Sequence, residues 1–265
     1  MSEVLLSGRG MHSGAPSRVI LRRVAGESVV RIGGEGIPLR EWNAQQADRA
    51  TVIVAKQHRL RTVEHLFAAL GALSVYQSIE IEVEGTEIPL LDGGSLEFAR
   101  ALLSLKVPTS LPPLHVARNG EVAIHESAYR FTVGESRCVR VEIDFGDSRL
   151  EPNAEWRGDA NDFVARIASA RTFAPEKDVA HLLASGLASH VTKESVVVIA
   201  HDQILSSGMP FTADEPARHK LIDLMGDLYL YGGPPIGCVE AFKPGHPRTH
   251  EAIRIALAEG ILSLP

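Results

Sequence analysis

Within Arg218-His-Lys-Leu-Ile-Asp-Leu-Met-Gly-Asp227, an imidazole and two carboxylates recur at every fourth position, as His219, Asp223 and Asp227. On a helix this spacing stacks the three side chains on one face, with successive Cβ atoms roughly 5–6 Å apart. His219 and Asp223 can then share a metal ion and leave Asp227 to support a neighbouring group. Leu221, Leu224, Met225 and Leu228 form the apolar side of the same helix. Catalytic zinc commonly takes three protein ligands and keeps an open position, so a further ligand must come from elsewhere in the chain. The best source is Arg61-Thr-Val-Glu64-His65-Leu-Phe-Ala-Ala-Leu70, where an adjacent Glu-His pair opens an apolar run of helical period. Adjacent helical side chains diverge by about 100 degrees. One of the pair therefore ligates while the other reaches the open position, where a carboxylate takes a proton from water. His246, bracketed by Gly245 and Pro247 at a strand-to-helix turn, is a further candidate.

Each fragment also has an ordinary reading. A single His-x3-Asp pair on an amphipathic helix is more often hydrogen-bonded or solvated than metal-bound. Thr62-Val-Glu-His reads equally as a helix start in which Thr62 caps and the acid favours the dipole. Gly-His246-Pro is by default a turn with an exposed imidazole, and Asp227 a surface carboxylate. Pro89 and Asp92-Gly93-Gly94 read as turn chemistry that needs a positive φ.

Taken together, the fragments resemble the zinc-dependent UDP-3-O-acyl-N-acetylglucosamine deacetylases of bacterial lipid A synthesis. The resemblance runs nearly end to end. It is carried in family order by Gly8-Arg-Gly-Met-His12-Ser-Gly, Thr62-Val-Glu-His-Leu66, Glu87-Ile-Pro-Leu-Leu-Asp92-Gly, Ala170-Arg-Thr-Phe173, the Arg218–Asp227 segment and Lys243-Pro-Gly-His246. It implies Zn²⁺, with Fe²⁺ able to occupy the same ligands, held by His65, His219 and Asp223, and Glu64 as general base. It also implies His246 as general acid oriented by Asp227, with Thr172 and Lys220 binding the oxyanion and substrate. Met11, Phe173, Lys220, Lys243 and Val191 are the implied substrate contacts. The implied fold is α+β: two similarly folded α/β-sandwich domains whose helical layers pack face to face, with the active site between them. Three departures fall in the second half. Ala174-Pro175 stands where the family commonly has Gly and an aromatic, His190-Val191-Thr192 replaces Gly-Gly-Ser, and Phe145-Gly146-Asp147-Ser148 replaces Phe-Asn-His-Pro. They lie near 171–200, where the family's insert lines an acyl-chain passage, or just before it. They keep open a related zinc amidohydrolase acting on another N-acetylated amino sugar. A non-catalytic binding protein of the same fold is the remaining alternative, and the intact acid, base and ligand set argues against it.

The rest of the chain must position these groups. Its 265 residues suffice for one large domain or two smaller ones, and 45% apolar content supports a full core. Net charge −6 and a pI near 6.0 exclude a general basic surface, so nucleic acid is not an expected partner. Lys243, Arg248 and Arg254 form a local basic stretch suited to a diphosphate. Cys138 and Cys238 sit in apolar strand-like runs and read as reduced core residues. The start of the chain lacks a signal-peptide pattern, and no apolar run of membrane-spanning length occurs. A cytoplasmic bacterial monomer is expected, acting on a UDP-linked acylated amino sugar. Strands are predicted near 17–24, 28–32, 78–83, 121–125, 129–133, 139–145, 195–200 and 236–242. Helices are predicted near 62–73, 96–105, 162–170, 177–185, 215–231 and from Pro247. The proline-rich 106–113 stretch is the expected boundary between domains 1–107 and 114–265. No internal repeat is visible at the level of sequence.

Overall fold

The computed structural model describes residues 2–47, 49–176, 179 and 194–264. In the first half, strands β1 (Glu3–Arg9), β2 (Pro16–Arg23), β3 (Val29–Ile32) and β4 (Glu35–Pro38) precede a small three-stranded sheet of β5 (Asn43–Gln45), β6 (Val52–Ala55) and β7 (His58–Arg61). Helix α1 (Glu64–Ala72), strand β8 (Ile79–Glu84) and helix α2 (Leu96–Leu105) complete it. The second half, after the short β9 (His115–Val116), runs through β10 (Gly120–Ile124), β11 (Ser127–Thr132), β12 (Arg137–Glu142) and β13 (Asn153–Trp156). Three short strands, β14 (Thr172–Pro175), β15 (Val196–Ile199) and β16 (Ile204–Leu205), form a side sheet. Helix α3 (Glu215–Tyr229), strand β17 (Gly237–Phe242), helix α4 (His246–Ala258) and β18 (Leu262–Ser263) follow.

The two main sheets repeat one topology. Their orders are β1-β2-β8-β3-β4 and β10-β11-β17-β12-β13. In each, the late strand inserts antiparallel to the second strand and parallel to the third. The α+β expectation of two similarly folded units therefore holds, and the repeat is one of pairing rather than of sequence. Strict alternation explains the layering: Val19, Leu21, Ile79, Ile81 and Val83 point inward, whereas Arg22, Glu80 and Glu82 form an outer ladder of ion pairs.

Helices cover the inner faces. All nine residues of α1 are buried, because it lies between its own sheet and α3; its Ala and Gly positions permit that crowding. Gly226 marks the closest approach. A Cβ there would meet the Glu64 backbone, with Cα at 2.7 Å, so only glycine lets the helices meet at the Glu-His pair. None of the described helices is long and apolar enough to cross a membrane.

The periodic elements lie close to where the pattern predicts them. The 162–170 segment is a helical turn at Ala160–Asp162 that widens into a π-type turn at Phe163–Ile167. Of the predicted 177–185 helix only residue 179 lies within the described residues. Two expectations fail. Val63, not Thr62, stands at the N-cap of α1 and no side chain caps it; the Thr62 hydroxyl donates instead to Glu87 Oε1 at 2.8 Å. Cys138 and Cys238 are half-buried rather than core, since they occupy the outer face of the second sheet.

Candidate active site

The packing of α1 against α3 brings His65 to His219 and Asp223. Asp223 Oδ1 lies 3.7 Å from His65 Nε2 and 3.5 Å from His219 Nε2. Among the described residues these three form a buried group able to hold a metal ion, with one ligand atom from each within 4.8 Å of the others. The protonation of His219 and Asp223 suits that task. His219 Nδ1 donates to the Ala170 carbonyl at 3.0 Å, which leaves Nε2 with its lone pair toward the cluster. Burial, with help from His65 and Lys220, outweighs Asp223 and lowers the His219 pKa to about 4, so the ring is neutral at pH 7. Asp223 behaves oppositely. Burial raises its pKa, but Lys220, which donates to Oδ2 at 2.8 Å, and His219 hold it well below the usual carboxylate range.

Glu64 and His246, the expected base and acid, face this cluster from the two halves. Glu64 Oε2 accepts from the Thr51 backbone N–H at 3.1 Å, and Oε1 lies 3.7 Å from His246 Nε2. Burial raises the Glu64 pKa against the opposing pull of His246 and His65. His246 is neither exposed nor in a turn: it opens α4, is buried, and sets Nδ1 2.9 Å from Asp227 Oδ2. Burial pulls its pKa down, but Asp227, Glu64 and Asp223 together push it up to about 9. The charge of Asp227 therefore prevails over the desolvation and helix-dipole effects that oppose a cation at a buried helix start. Asp227 is 1% exposed, so the surface reading of this carboxylate is replaced by one of a buried orienting group.

A cavity of about 290 Å³ opens over these groups. Its walls include Met11, Phe145, Thr172, Phe173, Lys220 and His246. Phe173 meets both Phe145 and the His219 ring edge-on, with centroids 5.3 and 5.9 Å away. The Thr172 hydroxyl and N–H both donate to Gly93 O, at 3.0 and 2.8 Å. Gly93 itself sits at φ 84, so the turn reading of that glycine holds and the turn places the Thr172 acceptor. Lys243 is outside the cavity lining and pairs with Asp144 at 2.9 Å. In the basic stretch, Arg248 pairs with Glu126 and Arg254 donates to the His250 carbonyl. Val191 lies outside the described residues.

Several residues that position the site were given no role by the sequence. The Thr51 hydroxyl donates to Asp227 Oδ1 and lies 3.1 Å from His246 Nδ1, so one residue ties the groups around the base to those around the acid. His250 Nε2 lies 3.5 Å from the same Asp227 oxygen. Glu87 gathers the backbone N–H groups of His12 and Ser13, each at 2.9 Å, with the Thr62 hydroxyl, and so anchors the Met11 loop beside α1. The buried pair Arg171–Glu215, at 2.8 Å, fastens the Thr172 strand to the start of α3. Of these, Glu87 and Arg171 stood inside motifs, and the i, i+4 relation of His246 to His250 was the one available hint of the latter.

Comparison with known proteins supplies the family. The family model for UDP-3-O-acyl N-acetylglycosamine deacetylase matches residues 1–258. UDP-3-O-acyl-N-acetylglucosamine deacetylases of Brucella ovis, Brucella canis and Brucella melitensis are each 33% identical to this chain over 269 residues. Each alignment covers 97% of this chain and 93% of the relative.

Proposed function

The chain belongs to the UDP-3-O-acyl N-acetylglycosamine deacetylase family, and we propose that it hydrolyses the N-acetyl group of a UDP-3-O-acyl-N-acetylglucosamine, releasing acetate and the free amine, in lipid A biosynthesis. The observation that carries this reading is the approach of Glu64 Oε1 to within 3.7 Å of His246 Nε2 beside the three-residue cluster. A base from one half and an acid from the other thus adjoin one ligand set.

The donor set of two imidazoles and one carboxylate fits zinc, with His65, His219 and Asp223 as ligands. Bound there, zinc would supply Lewis-acid polarisation of a carbonyl and would lower the pKa of water toward roughly 7. Glu64, buried and with a raised pKa, accepts the proton of the water that attacks the acetyl carbon. His246, kept cationic by Asp227, places Nε2–H toward the same space, stabilises the oxyanion and hands its proton to the departing nitrogen. The Thr172 hydroxyl turns from Gly93 O to the oxyanion, and Lys220 stays beside the substrate while neutralising Asp223. Met11 and Phe173 contact substrate from the cavity wall. The same reading divides the chain into units 1–107 and 114–265 and places the protein in the bacterial cytoplasm.

Acetate release from the UDP-linked acyl sugar, with and without chelator, tests the proposal. Chelator-sensitive turnover is expected; no turnover by the metal-loaded protein overturns it. Ala174 and Pro175 in the cavity wall favour a narrower or redirected acyl passage. Each CH₂ buried there contributes about 0.8 kcal/mol, so shortening the chain by several carbons lowers kcat/KM by orders of magnitude. Equal kcat/KM with and without the acyl chain would favour instead an amidohydrolase for another N-acetylated amino sugar.

A further inference from the structure

The outer face of the second main sheet carries two thiols that the deacetylation chemistry does not use. Cys138 and Cys238 are remote in sequence, yet β12 and β17 run parallel with Cys138 directly opposite Cys238. Val139 and Val141 on one strand and Val239 and Ala241 on the other are buried, so the alternating cysteines share the opposite, half-buried face. Paired strands lie about 4.8 Å apart, inside the roughly 4.4–6.8 Å Cα separation that a disulfide spans. The Cys138 thiol donates to Glu155 Oε1 at 3.6 Å, which holds its sulfur on the same face as Cys238. Arg140 sits two residues along the same face and donates to Glu155 and Glu240, each at 2.7 Å.

We propose that Cys138 and Cys238 form a modification site that a hydroperoxide oxidises to a disulfide within the sheet. Cys238 is the attacking sulfur. The adjoining Cys138 thiol and the Arg140 guanidinium lower the Cys238 pKa against burial, which raises it, whereas the Cys138 proton is directed to Glu155 Oε1, so Cys238 is the sulfur that ionises more readily. The Cys238 thiolate attacks a peroxide oxygen; an S–O bond forms, the O–O bond breaks, and the departing oxygen leaves as water or alcohol after taking a proton. Cys138 sulfur then attacks the Cys238 sulfenic sulfur as its own proton passes to Glu155. The S–S bond forms, the S–O bond breaks, and the hydroxide departs with a proton as water. Two thiols lose two hydrogens and one hydroperoxide is reduced. The pair lies near the starts of β12 and β17, whereas Phe145 and His246 follow their ends, so the bond leaves the catalytic groups in place.

The test treats the reduced full-length protein with hydrogen peroxide and maps peptides without reductant. The expected product is a cross-link between the peptides carrying Cys138 and Cys238, two hydrogens lighter than the separate thiols, reversed by dithiothreitol, with deacetylase activity retained. The variant Cys138→Ser should stop at a Cys238 sulfenic acid that dimedone traps, and Cys238→Ser should react with peroxide many-fold more slowly. Recovery of both thiols free, a bond joining two molecules, or sulfinic acid without any cross-link overturns the proposal.

Discussion

The two halves share one strand order but divide the chemistry unevenly. The first half contributes Glu64 and His65 from the first turn of α1, with Thr51 behind them. The second contributes His219, Asp223 and Asp227, one per turn along α3, together with Thr172, Lys220 and His246. Every residue of α3 except Lys220 is buried. The difference concerns how buried charge is offset. On α3 each carboxylate has a cation from its own half, Arg171 for Glu215, Lys220 for Asp223 and His246 for Asp227. Glu64 has no such partner in its half among the described ion pairs; its cation, His246, reaches it across the interface. An uncompensated buried charge is costly, so the competent site is a property of the docked halves.

The strongest way to break this comparison is to remove a ligand from either side. His65→Ala and His219→Ala should both lose metal and reduce acetate release to background, measured with elemental analysis alongside the assay. Full metal occupancy in either variant would show that the halves do not share one ion. Fe²⁺ in place of Zn²⁺ would leave the comparison intact, since availability as well as geometry selects the ion.

Next come the groups assigned to proton transfer. Glu64→Ala in one half and His246→Ala in the other should each lower kcat about 10²-fold or more while metal content stays near one per chain. Loss of metal from both would turn them into ligands.

The pairing of His246 with Asp227 can be probed by pH. His246 is held cationic up to about 9, so activity that needs its proton persists below that pH and falls as pH rises through it. In Asp227→Asn the raising charge is gone, and the basic limb of kcat/KM should move to lower pH. An unmoved limb would assign it to another group.

Smaller effects separate interface from periphery. Gly226→Ala should destabilise the protein by about 1–3 kcal/mol in urea unfolding, because the new methyl forces α1 and α3 apart at Glu64. Arg22→Met, on the outer ladder of the first sheet, should change stability by no more than about 1 kcal/mol and leave kcat alone, since these half-buried pairs on the solvent side of the sheet remain within reach of screening water. A loss as large as that of Gly226→Ala would erase the distinction.

Legibility followed the range of the interaction. His219, Asp223 and Asp227 were readable because i, i+4 geometry is a property of the helix itself, and the flanking leucines disclosed the helix. The helix start at Glu64 was readable, but its cap was not. Thr62 offered the right hydroxyl, and Glu87, distant in sequence but adjacent in the fold, drew it away. The apolar runs around Cys138 and Cys238 identified strands correctly. They could not say which alternate face would be covered, because both faces of such a run have the same period.

By itself the sequence determined the residue chemistry of the site, the elements that carry it and the family to which the chain belongs, since periodicity and ordered motifs need no knowledge of contacts. Only the tertiary structure decided that Thr51 serves both Glu64 and Asp227, that His246 is held cationic, and that the two cysteines stand side by side. Backbone geometry sets neighbours three or four residues apart. Partners brought together by sheet pairing and helix docking depend on how the whole core closes, and the strength of a buried charge depends on how completely that closure removes water.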